Sequence, residues 1–319
     1  MKLQDLKADR PFKAYLYIRE ASVRDSKNGS RFIRLQLSDP EYREVTGYVW
    51  NANDADVEDY VTGRIVGIAG KGKEFQGNLQ LDIQKIRLAN DGDSVSIENF
   101  IETAPYSSEA MLEEIDAAVA GFKNRDLREI TAAVIDGKRD RLDYFPAAKS
   151  FHHAVRGGLL YHTVSMMRLG KELSKLYPFI DQDLLTAGIV LHDMGKIDEM
   201  QASENGVVDD YTPEGKLIGH ITTEITEVDR LGRELGTDPE ILLLLEHMIL
   251  SHHYEPEYGS PVRPMFPEAE LLHHIDVIDA RMNTMARIES QLEPGQFSEK
   301  VFSLDNVRLY KSKLADKQN

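Results

Sequence analysis

Residues 189–197 read IVLHDMGKI, and they join an apolar run to a histidine, an aspartate, a glycine and a lysine. The run before them, residues 183–191, is rich in leucine, isoleucine and valine, so we expect a buried helix with a polar tip. Successive residues on a helix point about 100° apart, so His192 and Asp193 flank one position rather than making the same contact. Lys196 shares a face with Asp193 if the helix continues through Gly195.

The histidines of the chain are concentrated in one region. All ten lie between residues 152 and 274. Several polar residues interrupt apolar stretches, where burial costs free energy unless the side chain is paired or binds a metal. They are His162 in GGLLYHT (157–163), His220 in LIGHITTEI (217–225), the pair His252 and His253, and Asp276 in LLHHIDVIDARM (271–282). Imidazole mixed with carboxylate suits divalent ions such as Mn²⁺, Fe²⁺ or Mg²⁺.

Composition limits the class of protein. The 319 residues contain no cysteine, which excludes disulfides and thiolate metal sites and fits a cytoplasmic location. We expect no membrane span and no secretory leader. The net charge is −16, but residues 1–90 carry 15 basic and 13 acidic side chains, so the acidity belongs to the remainder. We therefore predict a near-neutral N-terminal module joined to an acidic body that could hold divalent cations.

The N-terminal module has the pattern of a small β-barrel. Five short strand-like runs lie within residues 12–87, and a helical insert is expected at about residues 51–60. This spacing favours a five-stranded barrel of the OB type, although other small barrels share it. After a polar, turn-rich stretch at residues 88–106, the apolar period lengthens to that of helices. The fold class we predict is α+β, with a barrel followed by an all-α domain.

The ordered set of motifs resembles a known superfamily. His162, the His192-Asp193 pair and Asp276 follow the H…HD…D order of the HD metal-dependent phosphohydrolases. An OB-type barrel ahead of GGLLYHT, LHDMGK and SHH is similar to the YhaM family of bacterial 3′→5′ exoribonucleases, and the resemblance covers essentially the whole chain. In that family a glycine often follows the histidine pair, whereas here Tyr254 does. The departure is expected to reshape the edge of the pocket.

The resemblance implies an architecture and an activity. We expect an OB-fold nucleic-acid-binding domain at 1–90, an acidic linker with connecting helices at 91–140, an HD domain at 141–290 and a C-terminal tail at 291–319. The implied activity is hydrolysis of single-stranded RNA from the 3′ end to nucleoside 5′-monophosphates, by two-metal activation of a water. Two ions are implied, Mn²⁺ first, with Fe²⁺, Co²⁺ or Mg²⁺ as alternatives. Single-stranded DNA is a second expected substrate, and a homo-oligomer is compatible with the sequence.

Carried over by position, the resemblance also implies roles for individual residues. One metal is expected on His162, His192, Asp193 and Asp276, and Asp193 would bridge to a second on His220, His252 and His253. Asp193 and Lys196 are the catalytic candidates, with Lys196 steadying the phosphate. Asp279, one helical turn after Asp276, is a neighbour of the ligands or itself the ligand. The candidates for substrate binding are Arg156, His153 and Asp279 in the HD domain and Phe32, Trp50, Lys71, Lys73 and Phe75 in the barrel.

Two alternatives remain open at this point. The first is an HD phosphohydrolase that acts on a small nucleotide, such as a cyclic dinucleotide or a dNTP, with a regulatory barrel. The second is a non-catalytic RNA-binding protein with a structural metal. A fused barrel favours the exonuclease, because an enzyme for small molecules gains little from a polymer-binding module. The barrel aromatics Phe32 and Trp50 are equally compatible with stacking on bases and with a place in the barrel core.

Overall fold

The computed structural model describes residues 2–25, 29–75, 78–96, 99–148 and 155–314. The chain divides into two compact units, Met1–Thr103 and Ala104–Asn319. None of the described helices combines the length and the apolar character that a membrane span requires. Each unit has a hydrophobic core of its own.

The first unit is a closed five-stranded barrel with the order β1-β2-β3-β5-β4. Neighbouring strands are antiparallel except β3 and β5, which pair in parallel. A short helix, α1 (Asp54–Asp59), follows β3 and begins at Asn53, whose side chain accepts a hydrogen bond from the Asp56 amide. The strands are β1 (Pro11–Asp25), β2 (Arg31–Ser38), β3 (Glu44–Trp50), β4 (Ile65–Phe75) and β5 (Asn78–Leu88).

Alternation of apolar and polar residues closes this barrel. Phe12, Leu16 and Ile18 of β1 alternate inward, and Ile33, Leu35 and Leu37 of β2 do the same. A one-residue shift would turn these side chains to solvent, so the pattern determines the register. The OB-type barrel expected from the strand spacing is confirmed.

The second unit is mainly helical. Its helices are α2 (Ser108–Ala120), α3 (Arg125–Leu142), α4 (Gly158–Ser174), α5 (Gln182–Leu191), α6 (Lys196–Glu199), α7 (Pro213–Leu235), α8 (Pro239–Ser251) and α9 (Pro267–Ser290). The described segments also contain two antiparallel hairpins, β6 (Met200–Ala202) with β7 (Val208–Tyr211) and β8 (Phe297–Val301) with β9 (Val307–Tyr310). The expected helical domain is confirmed, and the two short hairpins are additions to it. These strands are too short for a hairpin pattern to stand out from the surrounding helices.

The helical core packs around α5, the helix that precedes the HDMGK residues. Leu185, Ile189 and Val190 are buried in the same cluster as side chains from α4, α8 and α9. Helices α2 and α3, which fall within the expected connector, contribute Met111 and Ile130 to this core. Because α5 is surrounded by other helices, its C-terminal end opens into the interior of the unit and not at its surface.

A buried charge cluster links α3, α6 and α7. The Lys138 ammonium lies 2.6 Å from Asp198 and 2.5 Å from Glu227, and 3.7 Å from the fully buried Glu224. Two carboxylates already accept hydrogen bonds from Lys138, so the ammonium offsets little of the cost of burying a negative charge on Glu224. Burial raises the pKa of Glu224 to about 8, although Lys138 opposes the shift.

We predict that Glu224→Gln stabilises the protein increasingly as pH rises from 5 to 8. In this range Glu224 is ionised in the unfolded chain but holds its proton in the fold, so the wild type loses stability as pH rises. Glutamine has the same shape and does not titrate. The difference in Tm between variant and wild type should widen by roughly 5 °C between pH 5 and pH 8, measured by circular dichroism.

Glu113→Gln is the matched control, because Glu113 is exposed on α2. It should leave a difference in Tm that does not change with pH. A Glu224→Gln difference that is equally flat would show that Glu224 is ionised in the folded protein.

Candidate functional site

Five of the helices bring the predicted ligands to one place. His162 lies on α4, His192 and Asp193 follow α5, His220 lies on α7, His252 and His253 follow α8, and Asp276 lies on α9. Within the described residues, three overlapping groups could hold a metal ion, with their ligand atoms within 4.8 Å of one another. The groups are Asp193-His220-His252-His253, His162-His192-Asp193 and His192-His252-Asp276.

The Asp193 carboxylate is the centre of this arrangement. Its Oδ2 lies 3.3 Å from His192 Nε2 and 3.8 Å from His162 Nε2. Its Oδ1 lies 3.5 Å from His220 Nε2 and 3.8 Å from His252 Nε2. Each oxygen of one carboxylate therefore faces a different pair of imidazoles, which is the arrangement that a bridge between two ions requires.

Two of these histidines are the C-terminal caps of helices. His192 ends α5 and His252 ends α8. Their Nδ1 atoms lie 2.8 Å from the Ile189 carbonyl and 2.7 Å from the Ile249 carbonyl, and a carbonyl can only accept, so Nδ1 carries the proton. In the neutral imidazole this leaves a lone pair on Nε2, pointing into the site. The carbonyl ends of two helices also favour a cation there.

His162 is oriented by carboxylates instead of a carbonyl. Its Nδ1 lies 2.7 Å from Asp279 Oδ2, and Ser165 donates a hydrogen bond to the other Asp279 oxygen. Its Nε2 lies 3.3 Å from Asp276 Oδ1. Asp276 thus faces the cluster, while Asp279 lies behind His162 with both oxygens engaged. This geometry favours Asp276 as the ligand and gives Asp279 the position of a support for His162; the substrate contact expected of Asp279 stays a prediction.

A kink in α7 brings His220 to the centre. Gly219 adopts φ +71°, a conformation that favours glycine, and the helix changes direction there. The backbone of His220 then packs so close to Gly195 that a Cβ on Gly195 would lie 2.3 Å from the His220 carbonyl oxygen. The glycine in the HDMGK sequence is therefore required by close approach of two segments, and α5 has already ended at Leu191.

His253 and Tyr254 form the side of the site next to α8. His253 donates from Nδ1 to the Tyr258 carbonyl over 2.6 Å. Tyr254 has φ +68°, in the region where a family glycine would be unstrained and a tyrosine costs about 1–2 kcal/mol. The His273 ring and the Arg263 guanidinium each lie 4.7 Å from the centroid of the Tyr254 ring. An aromatic side chain with these contacts therefore follows the ligand pair directly.

The charges of the site fit a divalent cation. Burial disfavours ionisation of Asp193, yet Lys196 and His192 hold its pKa well below the usual range. Burial lowers the pKa of His252 well below its ordinary value and also lowers that of His253, so both are neutral near pH 7. Burial opposes charge on His162 as well, but hydrogen bonds with Asp276 and Asp279 raise its pKa to about 10. The ionised Asp193 carboxylate beside the neutral imidazoles of His252 and His253 is the kind of donor set that such ions require.

Buried polar atoms supply an independent test of this fit. Among the described residues, Nε2 of His192, His220 and His252 and Oδ1 of Asp193 are buried without a hydrogen-bond partner. Leaving one such group unsatisfied costs about 1–3 kcal/mol, and four together are rare unless something binds them. Ligands about 2.1 Å from one ion lie about 3–3.5 Å apart, which is close to the observed spacings. The residues therefore fit a metal centre.

Lys196 contacts the same carboxylate. Its Nζ lies 2.7 Å from Asp193 Oδ2, and its side chain is 12% exposed. The sequence left open whether the helix continues through Gly195, and it does not: a turn separates α5 from α6. The lysine reaches Asp193 because α6 starts at Lys196, directly after that turn.

Arg156, a substrate-binding candidate of the helical unit, is not brought to this cluster. Arg156 donates from Nε to the Glu204 carbonyl and from Nη2 to Asp143, both over 3.1 Å. These contacts join the β6–β7 turn to the end of α3, so a phosphate contact by Arg156 has no support here. His153, with His152, lies outside the described residues.

The barrel carries an aromatic cluster on β2 and β3. Trp50 is 50% exposed and stacks on Tyr48, with ring centroids 5.4 Å apart and an interplanar angle of 17°. Phe32 completes the cluster, 5.0 Å from Trp50. Neither Phe32 nor Trp50 is in the barrel core. Lys71, Lys73 and Phe75 are exposed on β4, which is separated from β3 by β5. Lys71 lies in the same cross-strand row as Tyr48, because both residues pair with Asp82 of β5.

Two polar residues next to the ligands were not found from the sequence. Ser165 follows His162 by three residues, and helical spacing could have indicated it. Glu199 contacts His220 from α6, with Oε1 3.2 Å from both Nδ1 and the backbone nitrogen. Twenty-one residues and a strand pair separate these partners, so no local pattern predicts the contact.

We predict that Mn²⁺ raises the Tm of the metal-stripped protein and that His192→Ala removes most of that rise. An ion that binds only the folded state at about 100 times its Kd stabilises it by about 2.7 kcal/mol, or roughly 5–10 °C here. The measurement is differential scanning calorimetry with and without Mn²⁺.

His274→Ala is the control for loss of an imidazole, because His274 is 57% exposed on α9 and pairs with Glu270. It should keep the full rise. An undiminished rise in His192→Ala would place the ion elsewhere.

Similarity to known proteins agrees with this site. Residues 159–281 match the HD domain family. Among solved structures, the second OB-fold domain of replication protein A from Methanococcus maripaludis covers 30% of this chain and 98% of its own, at 18% identity and a TM-score of 0.23, which is too low to support an inference.

The relatives with curated names match over nearly their whole length. The 3′-5′ exoribonuclease YhaM of Oceanobacillus iheyensis is 40% identical over 301 residues, which cover 94% of this chain and 93% of that protein. The protein of the same name from Bacillus subtilis is 38% identical over 297 residues, 93% of each chain. At this identity and coverage, the chain belongs to the YhaM family of 3′-5′ exoribonucleases.

Proposed function

We propose that this chain is a metal-dependent 3′-5′ exoribonuclease that hydrolyses single-stranded RNA to nucleoside 5′-monophosphates. The observation that carries the proposal is the Asp193 carboxylate, whose two oxygens face two different sets of imidazoles. Membership of the YhaM family supplies the polarity and the substrate class. The metal we propose is Mn²⁺, the location is the cytoplasm, and single-stranded DNA as a substrate and homo-oligomerisation stay predictions.

The chain's own residues would divide the work as follows. His162, His192 and Asp276 would hold an ion on one side of Asp193, and His220, His252 and His253 would hold one on the other. Bound ions would supply the Lewis acidity that activates a water and neutralises charge on the leaving 3′-oxygen. Lys196 contacts Asp193 over 2.7 Å and would add a positive charge beside the scissile phosphate.

The barrel supports a polymer substrate over a small nucleotide. Trp50, Tyr48 and Phe32 form a partly exposed aromatic surface of the kind on which unpaired bases stack. Stacking contributes about 1–3 kcal/mol per base and tolerates any sequence. An enzyme that hydrolyses a dNTP or a cyclic dinucleotide gains little from such a surface. The exonuclease proposal therefore explains the aromatic surface of the barrel, which the small-nucleotide alternative leaves unexplained.

The decisive experiment is a time course on 5′-labelled single-stranded RNA, with Mn²⁺ and with EDTA, for the wild type and for Asp193→Asn. We expect a ladder that shortens from the 3′ end only for the wild type with Mn²⁺. The variant should lose at least about 100-fold in rate, because it loses the charged bridge between both groups of histidines.

Asp210→Asn serves as the matched control, because Asp210 pairs with Lys216 at the surface of the same unit. It should behave as the wild type. Intact RNA under every condition, together with hydrolysis of dNTPs or cyclic dinucleotides, would overturn the exonuclease proposal in favour of the small-nucleotide enzyme.

We also predict that Trp50→Ala slows degradation of long RNA by about 10-fold while leaving hydrolysis of a dinucleotide unchanged. The barrel retains a long substrate, whereas a dinucleotide needs only the metal site. The measurement is kcat/KM on a 30-nucleotide RNA and on the dinucleotide, with Phe179→Ala as the control, since Phe179 is 71% exposed in the helical unit. Equal losses on both substrates would contradict a role for Trp50 in holding the polymer.

A further inference from the structure

The site histidines differ in what their Nδ1 atoms contact. His192, His252 and His253 donate to main-chain carbonyls. His162 and His220 face carboxylates, Asp279 at 2.7 Å and Glu199 at 3.2 Å. A carboxylate behind a ligating imidazole fixes its ring and raises its basicity more than a neutral carbonyl does. The carboxylate-backed histidines lie on opposite oxygens of Asp193, so each side of the site has one.

Glu199 makes two contacts with the same residue. Its Oε1 lies 3.2 Å from the His220 Nδ1 and 3.2 Å from the His220 backbone nitrogen. The second contact exists because α7 is kinked at Gly219, with φ +71°, which frees the amide of the next residue from the helical pattern. One carboxylate therefore satisfies the amide at the kink and orients the ring of His220.

The local geometry makes His220 depend on this support. His192 and His252 are fully buried, whereas the side chain of His220 is 12% exposed and follows directly on the kink. Its Nε2 is nevertheless buried without a hydrogen-bond partner among the described residues. The nitrogen lies 3.5 Å from Asp193 Oδ1, in the group formed with His252 and His253.

We propose that Glu199 is a positioning residue that fixes the ring and tautomer of His220 and thereby determines the affinity of the ion on the His220 side of Asp193. The inference rests on the proposed two-ion function. Because the Glu199 side chain contacts His220, a ligand on one side of Asp193, it would change the affinity of one ion without changing that of the other. Asp279 is the corresponding residue behind His162, on the other side. The affinity of the ion on the His220 side then depends on Glu199, and the affinity of the ion on the His162 side depends on Asp279.

The test is a calorimetric Mn²⁺ titration of the metal-stripped full chain as wild type and as Glu199→Gln. Glutamine keeps an acceptor for the His220 amide, so the kink retains its cap, but it removes the negative charge behind the ring. We expect the wild type to bind two ions and Glu199→Gln to weaken one of them by about 10–100-fold, with the other unchanged. His220→Ala should remove the same ion that Glu199→Gln weakens.

Two further variants locate the effect. Asp279→Asn should weaken the other ion and spare the one that Glu199→Gln affects. Glu214→Gln makes the same chemical change on an exposed residue in the first turn of α7 and should bind as the wild type does. Circular dichroism checks that the Tm of Glu199→Gln stays close to that of the wild type.

The activity readout separates positioning from a direct catalytic role. In Glu199→Gln, the Mn²⁺ concentration for half-maximal RNA degradation should rise about 10-fold or more, and saturating Mn²⁺ should restore kcat to within about two-fold of the wild type. A residue that caps only the backbone would leave both Mn²⁺ affinities unchanged in Glu199→Gln, and that result would overturn the proposal. Equal weakening of both ions would also overturn it.

The outcome for Glu199 is independent of the outcome for the function. If the wild type binds two ions, Glu199→Gln weakens one of them and no RNA is degraded, the proposed role of Glu199 stands and the proposed exonuclease activity is overturned. If the wild type degrades RNA and Glu199→Gln binds Mn²⁺ as the wild type does, the proposed exonuclease activity stands and the proposed role of Glu199 is overturned.

Discussion

The buried Asp193 carboxylate is the interaction on which the rest of the helical unit depends. An ionised carboxylate in a protein interior is costly unless it is paired, and here one oxygen meets Lys196 and both face imidazoles. Its partners come from α4, α7 and α8, from the turn after α5 and from the start of α6. The packing of these elements is consequently constrained by one side chain. Their apolar faces keep the carboxylate desolvated, while Lys196 and His192 keep it ionised.

The ends of two helices determine the orientation and the tautomer of two of the site histidines. His192 and His252 occupy the C-terminal caps of α5 and α8, where helical carbonyls lack partners within the helix. Each ring satisfies a carbonyl three residues earlier and turns its other nitrogen inward. The same geometry that ends a helix without an unpaired carbonyl therefore selects the tautomer that can bind a metal. His220 lacks this device because it lies within α7, and Glu199 takes the place of the carbonyl.

The two units differ in charge, and we propose that they also divide the tasks of the chain. The acidic helical unit is a poor general binder of polyanions, but Lys196 supplies a positive charge at the site. The barrel is close to neutral and offers aromatic surface on β2 and β3. Stacking does not require an excess of basic residues, so we propose that this barrel holds single strands of RNA while the helical unit supplies the ligands for metal-dependent hydrolysis.

The sequence by itself determined the barrel, the helical unit, the family and the type of ligand set. The barrel, the helical unit and the type of ligand set follow from the period of apolar residues and from histidines and aspartates that stand inside apolar stretches, whereas the family follows from the resemblance of the ordered motifs. Tertiary structure alone decided that Asp276 faces the cluster while Asp279 supports His162, that Lys196 meets Asp193 across a turn, and that Glu199 reaches His220. The physical reason is that these contacts depend on where α5 ends, on the left-handed conformation at Gly219 and on the close approach at Gly195, all of which are settled by packing between segments distant along the chain.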